Sequence, residues 1–119
     1  MTPDSRHIIA LPWPAPILSP NDRAHWGKKA KAKTQYRSDC FYMTKHQIKG
    51  FRHAGGKIPL RVTFREPPGN KRDWDNCVAS IKAGIDGVCD ALRIDDSLFR
   101  PITIDFGENV SGGAVILEF

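Results

Sequence analysis

Residues 60–97 read LRVTFREPPGNKRDWDNCVASIKAGIDGVCDALRIDDS, and the fold turns on this stretch. Leu60, Val62 and Phe64 alternate with Arg61, Thr63 and Arg65, a period of two that predicts a half-buried strand. Pro67-Pro68-Gly69-Asn70 breaks it. From about Asn76, the residues Val78, Ile81, Ile85, Val88 and Leu92 recur at helical spacing, which predicts a helix through Leu92. Gly84 and Gly87 weaken that helix internally, by roughly 1 kcal/mol each against alanine. The stretch closes on Asp95-Asp96-Ser97, a turn or cap signal.

On the N-terminal side, residues 7–11 form a short apolar run that predicts a first strand. The loop Pro14-Ala15-Pro16-Ile17-Leu18-Ser19-Pro20-Asn21-Asp22 is too rich in proline for a helix or central strand. Between Gly27 and Lys49 good helix formers dominate, with Tyr36, Cys40, Met43 and Gln47 as a narrow stripe and Gly50 as a stop. His53–Lys57 reads as a loop. On the C-terminal side, residues 101–106 and 114–119 each alternate and flank the turn Ser111-Gly112-Gly113, which predicts an antiparallel hairpin. The order β-α-β-α-β-β defines an α/β (α+β) architecture with helices on a small mixed sheet. A chain of 119 residues fits one domain, 1–119, without repeats or low-complexity segments.

Composition agrees, with 40% hydrophobic and 26% charged residues, and excludes disordered, collagen-like and membrane-embedded classes. No apolar run approaches the roughly 20 residues that span a bilayer. The opening Met1–His7 leads into too short an apolar run for a secretory leader, so no leader is expected. Cys40, Cys77 and Cys89 form no CxxC pair, which suggests reduced thiols in a cytoplasmic protein without a zinc site.

The net charge of +5 is unevenly distributed. Residues 1–57 carry 11 Lys+Arg against 3 Asp+Glu, and residues 58–119 carry 7 against 10. A basic half joined to an acidic half points to a polyanion partner and a separate use for the carboxylates. Nucleic acid leads, because each phosphate neutralised by Lys or Arg releases counterions. A solvated basic helix face without a ligand is the alternative.

The densest polar cluster is Lys71-Arg72-Asp73-Trp74-Asp75-Asn76. In extended backbone, Asp73 and Asp75 point to one side. Either Asp75 or Asn76 caps the following helix, or the two aspartates supply oxygen ligands to a hard divalent cation such as Mg²⁺. On that helix Asp75, Ala79, Lys82 and Asp86 fall on one face. Lys82 either pairs with Asp86 or stabilises charge building on a phosphate under attack. Three carboxylates, a lysine and a basic flank together suggest metal-assisted phosphodiester cleavage.

The ordered set Arg72-Asp73-Trp74-Asp75-Asn76, Lys82, Asp86-Gly87 and Asp95-Asp96-Ser97 resembles the signature of the RusA family of Holliday-junction resolvases. Leu11-Pro12-Trp13-Pro14 followed by Ser19-Pro20-Asn21 is similar to that family's N-terminal strand and loop. The resemblance implies a RusA-like fold and a homodimeric, Mg²⁺-dependent endonuclease, with Mn²⁺ as a substitute. Such an enzyme nicks four-way DNA junctions symmetrically in recombination and repair, in the cytoplasm, and is bacterial or phage-encoded. It implies Asp73, Asp75 and Asp96 as metal-binding carboxylates and Lys82 as the active-site lysine. Better-known members place that lysine where Ala79 stands here. Aligning Lys82 needs about three extra residues, which keeps the helix face but shifts the amine roughly 4.5 Å along the axis.

A straight helix over residues 76–92 would be roughly 25 Å long, and the four steps from Leu92 to Asp96 span at most about 14 Å. Asp96 then returns to Asp75 only if the helix ends or bends early, near Gly84 or Gly87, or if a partner subunit builds the site. Lys71 and Arg72 are placed to hold a neighbouring phosphate. Arg23, Lys28, Lys29, Lys31, Lys33 and Arg37 would dock junction arms through phosphates. His25 and Trp26 either stack on an unpaired base or pack in the loop. Trp13 and Phe106 are assigned to the core, and His7, His46 and His53 to surface or structural roles. Two other functions fit the same residues: a non-catalytic DNA-binding module with a basic helix face, and a nucleotide phosphohydrolase.

Overall fold

The computed structural model describes residues 7–69 and 71–119; Asn70 of the expected strand break, and the opening Met1–Arg6, lie outside them. The chain runs β1 (Ile8–Pro12), α1 (Trp26–Gln47), β2 (Ile58–Arg65), α2 (Trp74–Ser80), α3 (Lys82–Leu92), β3 (Phe99–Phe106) and β4 (Ala114–Glu118), with short 3₁₀ turns at Pro16–Leu18 and Asp96–Leu98. The four strands form one mixed sheet in the order β1-β4-β2-β3. Its α-and-β class and mixed sheet are those the periodicities predict.

The alternation of each strand becomes a two-faced sheet. Ile9 and Leu11 lie beside Leu117 and Val115, which lie beside Val62 and Phe64 in register. All six are essentially buried. Tyr36 and Cys40 of α1 and Val88 and Cys89 of α3 join them in one core cluster. The alternate rows, with Arg61, Thr63 and Glu118, face outward, as in a sheet covered on one side. Gln47 closes the outer edge of β1: its side chain accepts from the Ala10 N–H at 2.8 Å and donates to the Ala10 carbonyl at 2.9 Å. A side-chain amide here satisfies the edge that would otherwise invite another strand.

Two expectations are corrected. Residues 101–106 and 114–119 do not form a hairpin. β3 pairs parallel with β2, while β4 inserts between β1 and β2, antiparallel to both. The connecting loop crosses the end of β2, where the Gly107 N–H donates to the Phe64 carbonyl and the Val110 N–H to the Glu66 carbonyl. Alternation alone cannot tell which neighbour a strand takes. Phe106 also departs from its core assignment: it stacks on Phe64 at 5.2 Å but sits on the open edge strand, partly exposed.

The second correction concerns the predicted single helix, which is two. Ile81, at φ −97° and ψ 0°, ends α2 and begins α3. The break precedes both glycines, and α3 continues through them. Gly84 and Gly87, three apart, lie on one face against α1. A Cβ at Gly87 would stand 2.1 Å from the Arg37 carbonyl oxygen, and one at Gly84 would stand 2.6 Å from the Tyr36 ring. The glycines therefore serve close helix packing. α3 ends at Arg93 in the left-handed region (φ 58°), and the Ile94 N–H returns to the Cys89 carbonyl. At the other end of the molecule, α1 stops at Gln47, three residues before Gly50.

Candidate functional site

The proline-rich loop after β1 and the segment between β2 and α2 face each other across a cleft of about 510 Å³. Its walls include Trp13, Pro67, Lys71, Arg72, Asp73, Asn76 and Ser80. Trp13 is half-buried, set edge-on against Phe64 at 6.0 Å, as its core assignment expects. The Arg72 guanidinium lies over the Trp13 ring at 5.6 Å and 3.6 Å from the Glu66 carboxylate. The Arg72 N–H also donates to Glu66.

Capping does not consume the two aspartates. Asp73, not Asp75 or Asn76, is the N-cap of α2, and its side chain makes no capping hydrogen bond. Asp75 lies in the first turn of α2, and not in the extended backbone that would align it with Asp73; among the described residues its Oδ1 accepts from the adjacent Asn76 N–H at 3.0 Å. Both carboxylates are exposed, and Trp74 between them is 63% exposed. Burial pushes the Cys77 thiol up, and Glu66, Asp73 and Asp75 add to this by disfavouring a nearby thiolate. Glu66 is thus a third acid in this neighbourhood that the sequence reading passed over; its signal was its place at the end of an alternating strand.

Asp96 is elsewhere. The Lys82 ammonium donates to Asp86 at 2.6 Å and to Asp96 at 2.5 Å. The turn at Arg93 that ends α3 returns the chain so that Asp96 meets Lys82. The Lys82 hydrogen bond holds the Asp96 carboxyl below its ordinary range, and the bonds to Asp86 and Asp96 raise Lys82. One ammonium between two carboxylates leaves a local charge of −1, so Lys82 is not, as it stands, aimed at a phosphate. Among the described residues no three His, Cys, Asp or Glu side chains converge to hold a metal ion. Asp73 and Asp75 still suit Mg²⁺ by donor chemistry, since magnesium is commonly held by one or two carboxylates with water and phosphate completing its shell.

A second cleft of about 510 Å³ lies between α1 and the α2–α3 pair, lined by Lys33, Arg37, Ser80, Lys82 and Asp86 among others. Ser80 lines both clefts, so they adjoin there. The basic residues divide by what they already hold. Arg37 is bidentate to Asp90 at 2.7 and 2.9 Å, clamping α1 to α3. Lys29 donates to the Ser19 carbonyl at 3.1 Å. Arg23, Lys28, Lys31, Lys33 and Lys71 are exposed. His25 caps α1 by accepting from the Gly27 N–H, and Trp26 beside it is 77% exposed and not packed into the loop.

The three cysteines are buried and free, and burial pushes the Cys40 and Cys89 thiols up to about 12. His7 sits against Phe51 and Phe119, a structural role. Among the described residues no helix is long and apolar enough to cross a membrane.

The fold is a mixed α/β domain in which Asp73, Lys71 and Arg72 line one cleft. No family model matches the chain. It is 37% identical over 100 residues to an uncharacterized protein of Xylella fastidiosa (strain Temecula1 / ATCC 700964), a match covering 76% of this chain. The matched stretch spans about three fifths of that relative's length, 61%.

Proposed function

We propose that the chain is a divalent-metal-dependent endonuclease acting on branched DNA, as the resemblance to Holliday-junction resolvases suggests. The carrying observation is that Asp73, which makes no capping bond, lines with Lys71 and Arg72 a cleft that adjoins the Lys33-lined groove, and that Asp75 stands exposed in the following first turn. In this reading Asp73 and Asp75 hold Mg²⁺ or Mn²⁺, which when bound supplies Lewis-acid activation of water and of the scissile phosphate. Lys71 and Arg72 orient the phosphate next to the scissile one. Arg23, Lys28, Lys31 and Lys33 position the duplex arms without reading sequence. Lys82, which lines the second cleft and is held by Asp86 and Asp96, can stabilise developing negative charge once both carboxylates release it.

Two symmetric nicks in a four-way junction call for two copies related by a two-fold axis. The open edge of the sheet supports a homodimer: Ile102 on β3 is 55% exposed beside Val78 and Ile85.

A second reading, DNA binding without catalysis, is favoured by one specific observation, the Lys82 ammonium held between Asp86 and Asp96. A cleavage assay separates the two. Purified protein in Mg²⁺ is expected to nick a synthetic four-way junction in preference to linear duplex of the same sequence, and to stop in EDTA. Binding without cutting in either Mg²⁺ or Mn²⁺ would establish the second reading. Faster hydrolysis of free nucleotides would instead indicate a phosphohydrolase.

A further inference from the structure

The cleft between the Trp13–Asn21 loop and the start of α2 has a layout that the metal chemistry alone does not require. One wall is apolar and rigid: Trp13, Pro14, Pro16 and Pro67. Gly113 presses against it so closely that a Cβ there would lie 2.9 Å from both Trp13 and Pro67. The Arg72 guanidinium covers the Trp13 ring at 5.6 Å and is held by Glu66, and Lys71 and Asp73 line the same cleft. Asn21 and Asn76 also line it. Asn76 is half-buried, and among the described residues its side-chain amide has no hydrogen-bond partner; its backbone N–H donates to Asp75 and its backbone carbonyl accepts from the Ser80 hydroxyl at 2.7 Å.

A planar guanidinium backed by an indole, two amides that both donate and accept, and the Lys71 ammonium match the three parts of a nucleotide: a flat base, its polar edge, and a phosphate. At about 510 Å³ the cleft lies within the range of small-ligand sites. Its occupant must also extend past Asp73 and Ser80 toward the second cleft, as a strand does and a free mononucleotide does not.

Resting on the nuclease reading, we infer that this cleft seats one unpaired nucleotide of the DNA strand adjoining the scissile phosphate. Its base stacks on the Arg72 guanidinium that covers Trp13 and is read by Asn76, and its phosphate lies on Lys71. The site thus selects DNA whose bases are already unstacked, as at a junction centre.

Binding in EDTA tests this separately from cleavage, so failure of the cleft and failure of the nuclease reading are distinguishable. The probes are thymidine 5′-monophosphate, a 5′-phosphorylated thymidine trinucleotide and inorganic phosphate, titrated into ¹⁵N-labelled full-length protein. The trinucleotide is expected to saturate one site, shift amides of residues 13–21 and 71–80, and bind more tightly than the mononucleotide, with inorganic phosphate weakest. Asn76→Ala and Lys71→Ala, whose side chains make no hydrogen bond among the described residues, are expected to weaken it about tenfold each. Lys45→Ala on the far part of α1 is expected to leave binding unchanged. Shifts confined to α1, equal affinity for inorganic phosphate, or mononucleotide binding as tight as trinucleotide would each overturn the assignment.

Discussion

Asp73→Asn and Asp75→Asn are each expected to lower Mg²⁺-dependent junction cleavage by at least about a hundredfold while leaving junction affinity in EDTA within about twofold. Asparagine keeps the size and one acceptor oxygen but removes the charge that draws a divalent cation. Losses of 10²–10³ are usual when a group that stabilises transition-state charge is removed. Affinity should hold because phosphate contacts reside in Lys and Arg side chains, none of which is altered. The Asp73 carboxylate makes no capping bond, so its replacement should not unfold α2. A thermal melt on each variant checks this: an unchanged transition with lost cleavage assigns the effect to chemistry. Wild-type cleavage rates in either variant would remove both aspartates from the site.

Gly87→Ala is expected to destabilise the domain by about 3 kcal/mol, lowering the thermal midpoint by roughly 10 °C. This reverses the ordinary helix preference, under which alanine would gain roughly 1 kcal/mol over glycine. The cause is steric: the added Cβ would meet the Arg37 carbonyl at 2.1 Å, and backbone cannot rotate away as a side chain can. α1 and α3 would have to separate, straining the Arg37–Asp90 clamp at 2.7 Å and the Tyr36 hydroxyl bond to the Pro12 carbonyl at 2.7 Å. Gly84→Ala meets a ring edge at 2.6 Å, and a smaller loss is expected there because the Tyr36 side chain can shift. A midpoint at or above wild type for Gly87→Ala would contradict the close helix contact.

The contrast between these glycines and their sequence reading shows where local patterns carry and where they stop. Periods of two and 3.6 located β1, α1, β2 and the α2–α3 segment to within a few residues, because each element buries one face. Gly84 and Gly87 read as flaws in a helix, since their cost is local and their benefit is a neighbour 50 residues away in the chain. Their spacing of three was the available clue. β3 and β4 have the same alternation whichever strand they join, so the hairpin expectation rested on proximity in sequence alone. The loop bonds from Gly107 and Val110 to the end of β2 reverse that preference.

At the site, Asp73, Asp75, Lys71 and Arg72 are neighbours in sequence and remain neighbours in space. Asp96 depended on the path of a helix that breaks at Ile81, where no proline or glycine announces it, and on the turn at Arg93 that sets Asp96 against Lys82. Trp13 and Asn21 reach the cleft from 50 residues upstream. Only the resemblance of the Trp13–Pro14 and Ser19–Asn21 segments to a known loop hinted at their involvement.

The metal site is the point on which the proposed chemistry depends, and paramagnetic broadening locates it without any substrate. Mn²⁺ added at a small fraction of the protein concentration to ¹⁵N-labelled chain should broaden the amides of residues 72–76 first, and Mg²⁺ in excess should restore them. Asp73→Asn should abolish the effect. Broadening centred on Asp86, Asp95 and Asp96, or spread without preference over the acidic surface, would contradict a divalent cation held by Asp73 and Asp75.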